Sequence, residues 1–423
     1  MITASPEDNL KWMQYELESE QAHEALLTVF PACTLCGAPL HAAAAYTDLQ
    51  KRSQAVLQQL VSQSEHRAFL VGMPLHIQDK GLCNAVVFVQ NGAIRGVVTK
   101  KYLGVEEQKY FVRGEGVQIM EFHDQRIAIG FYEDLKELVK GHVGNPDMVI
   151  CCGCNVFDYQ KPFRVRYRMR KIVETLGASL VYVNRVGGEG SLLYAGGSLA
   201  MNAAGGVLCQ LPYCQPESQT VDMQLLETLD DEKPEAVELV YRALVMGISD
   251  YFTKQGLRKA VIGKGLPANR ALVRRLAIDA LGEERVVNEE DWTPTDDAAL
   301  LCTIDRTEAA GFPENITATH GQLPALRTLA VVGDLYRSEV TQVLDYLGVD
   351  EPAPDTEQTD TILNLYLDEG LCVDEIAEEG YDPEVTQGIV ATLGKNEWRR
   401  RQMPPQLKVS PMSFGIDWMW PEI

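Results

Sequence analysis

Polar and apolar positions along the chain follow two rhythms. Over residues 7–28 and 47–61 apolar side chains recur at helical spacing, and Leu49, Val56, Leu57 and Leu60 supply one face of the second segment. Short continuous apolar runs follow at Ala68–Gly72, Ala85–Val89, Gly96–Val98, Ile127–Ile129, Met148–Ile150 and Leu180–Val183. Runs of this kind predict strands covered on both faces. With helical stretches between several of them, they predict a layered α/β domain over residues 1–220. Apolar periodicity fades between Pro216 and Lys233, which places a linker at 221–233. Pro234 then opens a helix at its favoured first position. Val240, Tyr241, Leu244, Ile248 and Tyr251 recur three and four apart, and Gly256 is placed to end that helix. The run Lys259–Gly263, a short turn and a helix over Arg270–Leu281 predict a strand-turn-helix unit of the nucleotide-binding type in a second domain, 234–423.

Composition narrows the partners. With 38 Lys and Arg against 60 Asp and Glu the formal charge is −22, a field that repels phosphate backbones and anionic lipid, so neither nucleic acid nor a membrane is expected as a partner. The polar, acidic first residues and the lack of a run of roughly 18 apolar residues predict a cytoplasmic protein. Ten cysteines in 423 residues are too sparse for a disulfide scaffold, and most are expected to be reduced packing thiols. The triplet Arg399-Arg400-Arg401 is expected on a solvated face or a subunit contact. The seven histidines have no metal-ligand spacing.

Several motifs in the first domain resemble, in order, the nitrilase-like glutaminase domain of glutamine-dependent NAD synthetases. They are Gly92–Val97, Lys100–Leu103, Glu106–Gly114, Glu133-Asp134-Leu135, Tyr182–Glu189 and Tyr194–Ser198. The resemblance implies an amidase site with a cysteine nucleophile, a glutamate base and a lysine that stabilises the oxyanion. Lys100 matches the lysine and Glu107 a second glutamate beside the site. The base belongs to a Phe-Pro-Glu motif that reads Phe30-Pro31-Ala32 here, which puts Ala32 at the base position. The nucleophile precedes Glu133-Asp134 in the family, and that place is taken by Tyr132. A phenol with a pKa near roughly 10 is a poor acyl acceptor and is expected to fill the substrate's space. Lys100 and Glu107 are then expected to persist as a partly buried ion pair, or else to retain a part in substrate binding.

The second domain continues the resemblance through Ala243–Gly256, Gly333–Val340 and Asn396–Pro405. It implies an ATP-pyrophosphatase domain with an SGGxDS phosphate loop, whose backbone N–H groups cradle pyrophosphate and whose Asp helps to hold magnesium. The corresponding stretch is Gly263–Leu272. Gly263 and Gly265 remain, Leu266 adds bulk, Pro267 lacks a donor, and Asn269 has lost the charge a hard cation prefers. The stretch from Leu281 to Asp334 is shorter than the family's, and only Glu314-Asn315-Ile316 echoes it, with Thr319 where arginine is expected.

The fold implied is therefore α/β, a nitrilase-like α-β-β-α sandwich followed by a shortened Rossmann-like domain of the adenine nucleotide alpha hydrolase type. Both centres have lost signature residues, so the expected function is that of a non-catalytic NAD-synthetase-like subunit that assembles with itself or with an active NAD synthetase. No cofactor is expected on that reading. The alternatives are a working synthetase with relocated residues, using ATP and magnesium, and a sensor that binds nucleotide or glutamine without turnover. In the nitrilase fold Cys33-x-x-Cys36 and Cys151-Cys152-Gly153-Cys154 both border the glutaminase pocket. If Cys33, Cys36, Cys152 and Cys154 converge they offer a zinc site or a redox pair, against the commoner reading of buried packing thiols.

Overall fold

A computed structural model describes residues 1–141, 144–230, 234–293, 297–313 and 326–421. The segment Glu314–Thr319 and the last three residues of the 221–233 linker lie outside the described residues. The chain divides into two units. One comprises Met1–Val156, Pro162–Glu189 and Tyr194–Lys233, the other Phe157–Lys161, Gly190–Leu193 and Pro234–Ile423. The sequence pattern gave no sign that two short pieces of the first half group with the second.

Before the linker the chain forms strands β1 Thr28–Val29, β2 Ala68–Ile77, β3 Gly81–Gln90, β4 Ala93–Thr99, β5 Gln118–Phe122, β6 Gln125–Phe131, β7 Met148–Cys152, β8 Ser179–Val183, β9 Val186–Glu189, β10 Leu192–Ala195, β11 Leu199–Met201 and β12 Val207–Gln210. They form a sheet in the order β1-β2-β3-β4, a ribbon of β9 and β10, and a sheet in the order β12-β11-β8-β7-β6-β5. Strand alternation decides the layers. Leu70, Val86, Phe88, Ile127, Ile129, Phe131 and Ile150 point into one cluster between the two sheets. Phe69, Val71, Val87 and Val89 point the other way, towards helices Pro6–Leu17 and Thr47–Ser62. Ala128, Val149 and Cys151 face helix Lys161–Leu176. Helix, sheet, sheet and helix thus stack as an α-β-β-α sandwich. Each fully buried aliphatic side chain in it contributes roughly 1.5–3 kcal/mol.

The expected first helix over 7–28 is broken in two. Helix Pro6–Leu17 ends, and the Ser19 hydroxyl accepts the Ala22 N–H at 3.2 Å to cap a separate turn, Glu20–Glu24. A serine that captures a backbone amide starts a new helix more readily than it continues an old one.

The second unit has a parallel sheet of β13 Lys259–Ile262, β14 Val286–Asn288, β15 Ala298–Cys302 and β16 Arg327–Ala330 in the order β14-β13-β15-β16. The chain leaves β13 for β14 on one side and reaches β15 on the other, so the order reverses at β13, where ligands of such sheets bind. Helices Ala236–Gln255, Pro267–Leu281 and Arg337–Tyr346 pack together. Val261, Leu300 and Cys302 join Ile362, Leu363 and Leu393 in the core. Gly256 ends its helix at φ +66°, a left-handed cap.

Of the arginine triplet, Arg401 is exposed and Arg399 half-buried, whereas Arg400 turns inward. Arg400 is buried, with its guanidinium 5.0 Å from the Phe414 ring and 5.1 Å from the Trp418 ring, and it donates to Leu393 O at 2.8 Å and Glu397 Oε2 at 3.0 Å. Its neighbours pair with Glu308 and Glu397. Among the described residues no helix is long and apolar enough to cross a membrane.

Candidate functional site

Two places carry the chemistry-bearing residues, one in each unit. In the first unit the segment after β1 crosses the middle of β2 so closely that a Cβ on Gly72 would lie 2.3 Å from Cys33 N and 2.6 Å from Ala32 Cα. Leu35 N–H donates to Gly72 O at 3.0 Å, and Ala32 N–H donates across to Gly153 O, beyond β7, at 3.1 Å. Cys33, held at φ +59°, is thereby brought near Cys154. Both are half-buried, whereas Cys36, Cys151 and Cys152 are buried.

Lys100 follows β4 directly and is buried. Its Nζ lies 2.8 Å from Glu107 Oε2 and 3.2 Å from Glu133 Oε2. Burial opposes its charge, but Glu133 and Glu107 outweigh that and hold the ammonium well above the usual lysine range. Glu107 is fixed further by Asn84 Nδ2 at 3.1 Å and Gly104 N–H at 2.9 Å. The Cys33 thiol donates to Asn84 Oδ1 at 3.7 Å. Its own pKa is pushed up by the neighbouring Cys154 and by burial, while Cys33, with Arg185 and Lys100 nearby, draws Cys154 down. Cys154 is therefore the more acidic thiol. Arg185 is fully buried over the Tyr194 ring at 4.5 Å; it donates to Ala38 O and to Glu189 Oε2, and its Nε has no partner.

In the second unit the turn after β13 is occupied by the chain's own side chains. Lys264 N–H donates to Glu289 Oε2 at 3.3 Å, and Lys264 Nζ lies 3.8 Å from the same carboxylate. Thr303 Oγ1 donates to Lys264 O at 2.7 Å. Gly263 is buried and its N–H is used by Leu301 O at 3.0 Å; Gly265 is half-buried. Leu266 is buried and Pro267 opens the helix. Asn269, fully buried, donates to Thr303 O at 2.8 Å and Asp305 Oδ2 at 2.7 Å. Asp305 in turn accepts from Arg337 Nε at 3.0 Å, and Arg306 pairs with Asp368 at 2.8 Å. A carboxylate on the amide of the turn has the charge that phosphate would have, so the two compete for one donor.

No family model matches the sequence. It is 23% identical to the glutamine-dependent NAD(+) synthetase of Thermotoga maritima, over 98% of this chain and 95% of the relative. The same comparison with the enzyme of Acinetobacter baylyi gives 21% over 95% of this chain and 94% of the relative. Among solved structures, a glutamine-dependent NAD(+) synthetase from Cytophaga hutchinsonii matches with a TM-score of 0.76 at 13% identity, over 100% of this chain and 95% of that one. The fold of the NAD synthetases therefore extends through both units. The chain is a homologue of the glutamine-dependent NAD synthetases. The Thermotoga alignment spans 550 positions, more than the 423 residues of the homologue, so the relative carries stretches this chain lacks.

Against that family frame, two sequence expectations change. Tyr132 does not fill a glutamine pocket. In β6 the residues Ile127, Ile129 and Phe131 point between the sheets, so the next side chain turns to the helix layer. There the Tyr132 ring lies 4.3 Å from the Arg168 guanidinium and 6.3 Å from Tyr182. Glu133 faces Lys100 instead. Nor do the four thiols converge. Cys36 bonds Ser53 at 2.9 Å among the helices outside the first sheet, and Cys152 is packed between the sheets. Among the described residues no three His, Cys, Asp or Glu side chains gather as metal ligands, so the zinc site is withdrawn. Lys100 and Glu107 do lie together, with Ala32 offering no ionisable group beside them. Sequence reasoning missed Glu133 as a pocket group and Arg185 as a buried cation; the inward alternation of β6 was the signal for the first.

Proposed function

We propose that this NAD synthetase homologue does not carry out the ATP-dependent amidation of deamido-NAD and serves as a structural or regulatory subunit, assembling with itself or with an active NAD synthetase. One observation carries the reading: the turn at which pyrophosphate would sit is closed by Glu289 on Lys264 N–H and by Asn269 tied to Asp305. A carboxylate there repels the ligand, and freeing Asn269 would leave Asp305 and Thr303 short of a partner in the core. The residues present do not fit ATP with magnesium, so neither belongs to this function. Leu225, Leu226 and Leu229 are exposed and offer apolar surface for an assembly to cover.

The direct test supplies the purified protein with deamido-NAD, ATP, magnesium and ammonia. No NAD is expected, and turnover near an ordinary enzymatic rate, roughly 1 s⁻¹ or more, overturns the reading. Native mass spectrometry of complexes recovered from the source cell is expected to give an oligomer, homomeric or with an active synthetase; a monomer only counts against the subunit role. A second reading, glutamine hydrolysis with relocated residues, is favoured by the Cys33 and Cys154 thiols standing close to Lys100, Glu107 and Glu133. It requires glutamate release from glutamine that disappears in Cys154→Ser.

A further inference from the structure

Two exposed surfaces of the first unit carry opposite charge. On helix Lys161–Leu176 the residues from Arg164 onward include five Lys and Arg against one Glu, a net +4 within a chain of −22. Val165, Met169, Ile172 and Val173 turn to the sheet. Arg164, Tyr167, Arg168 and Lys171, three and four residues apart, therefore form one stripe on the outer side, and all four are exposed. Tyr167 is 68% exposed among these cations. The second surface is the segment Glu217–Asp230, which holds Glu217, Asp222, Glu227 and Asp230 and neither Lys nor Arg, a net −4. It has no helix or strand, and its Leu225, Leu226 and Leu229 are exposed, Leu226 to 91%. Both surfaces adjoin the edge strand β12: Leu229 N–H donates to Val207 O at 2.8 Å, and Arg166 Nη1 donates to Gln210 Oε1 at 3.0 Å.

We propose that the acidic segment Asp222–Asp230 of one chain docks on the basic stripe Arg164–Lys171 of a second copy, and that a two-fold axis repeats the contact in reverse. The inference rests on the subunit reading above and names its partner and its surface. With Leu226 left in solvent, the segment is not seated on the helix of its own chain. Two stripes facing each other would repel, so the complement of a stripe is the segment. Leu225–Asp230 reaches about 16 Å when extended, enough to run along the stripe, about 10 Å from Arg164 to Lys171. Its leucines bring apolar surface to Tyr167 while Glu227 and Asp230 bring charge to the cations. Tyrosine and arginine are the side chains that anchor such contacts. A phosphate backbone or an anionic membrane offers charge without the apolar surface, and the −22 of the whole chain repels both. Lys171 also lies 3.1 Å from Glu174, but both are about half exposed, and a pair of that kind contributes too little to keep Lys171 from another carboxylate.

The test uses the full chain as an equal mixture of natural and isotope-labelled copies, treated with a carbodiimide that joins an amine to a carboxylate in direct contact. Peptide mapping is expected to show Lys171 linked to Glu227 or Asp230, with one peptide from each copy. Sedimentation over a concentration series then gives the dimer dissociation constant. Lys171→Glu and Glu227→Lys, both at exposed positions, are each expected to raise it about tenfold or more, and the chain carrying both to return to within about threefold of the wild type. Leu226→Asp is expected to raise it as well, with the circular dichroism unchanged. Links only within one copy, absence of the link, or a dissociation constant that none of the variants moves overturns the proposal. A dimer that persists through all the variants leaves the subunit role standing on another surface. A chain that is monomeric alone but recovered bound to an active synthetase likewise removes this inference and keeps that role. Should a variant fail to fold, the wild-type crosslink decides.

Discussion

The two units depart from the family pattern in opposite ways. In the first, buried Lys100 sits between Glu107 and the partly exposed Glu133, with two half-buried thiols near it. In the second, the phosphate turn keeps Gly263 and Gly265 but its donors are taken up internally, through Glu289, Thr303 and the buried Asn269–Asp305–Arg337 chain. A pocket lined by half-buried groups can exchange one ligand for another at little cost to folding. A turn wired into a buried ion network cannot open without exposing charges whose partners it holds. Loss of signature residues alone therefore says little about whether a site is still open.

The largest effect expected tests the closed side. Arg337→Met strips Asp305 of its buried cation and should destabilise the protein by about 3–5 kcal/mol in urea unfolding. A cost under about 1 kcal/mol would mean that water already reaches Asp305. Next in size is a pH effect. Burial pushes the Glu339 carboxyl up to about 7 from 4.5. The folded state holds that proton more tightly than the unfolded chain, so its stabilisation is complete below about pH 4.5 and is lost as pH rises through about 7. Relative to Glu339→Gln, the wild-type unfolding free energy should fall over that window by at most about 3 kcal/mol. A rise instead would reverse the assignment.

On the open side, Lys100→Met leaves Glu107 and Glu133 facing each other without their cation. A loss of about 2 kcal/mol is expected, less than for the sealed pair because Glu133 is 43% exposed. A loss as large as that of Arg337→Met would erase the contrast. Cys36→Ala should have the smallest effect, about 1 kcal/mol, since one buried sulfur is removed and Ser53 keeps its bond to Leu49 O. Burial holds the Cys36 thiol at about 12, so it should also stay unalkylated while Cys154 reacts.

Much of this was legible along the chain. The apolar runs at residues 68–72, 85–89, 127–129 and 148–150 are strands of the first unit, and Gly256 ends its helix as its place after Tyr251 predicts. Ser19 shows the limit, because a capping hydroxyl within an amphipathic segment does not reveal whether it interrupts the helix. Arg400 shows another. Its aromatic partners Phe414 and Trp418 lie beyond any helical or strand period, so its burial has no local signature.

By itself the sequence determined the alternation of strands and helices and the order of the motifs that resemble the NAD synthetases, because hydrophobic period and ordered motifs are local properties of the chain. Only the tertiary structure decided which replacements face a pocket. Strand alternation sends Tyr132 to the helix layer and Glu133 to Lys100. The close crossing at Gly72 splits Cys33 from Cys36 and seats Cys33 near Cys154. Side-chain direction depends on what packs against each face, and distances between remote segments are set only when the sheets close on one core.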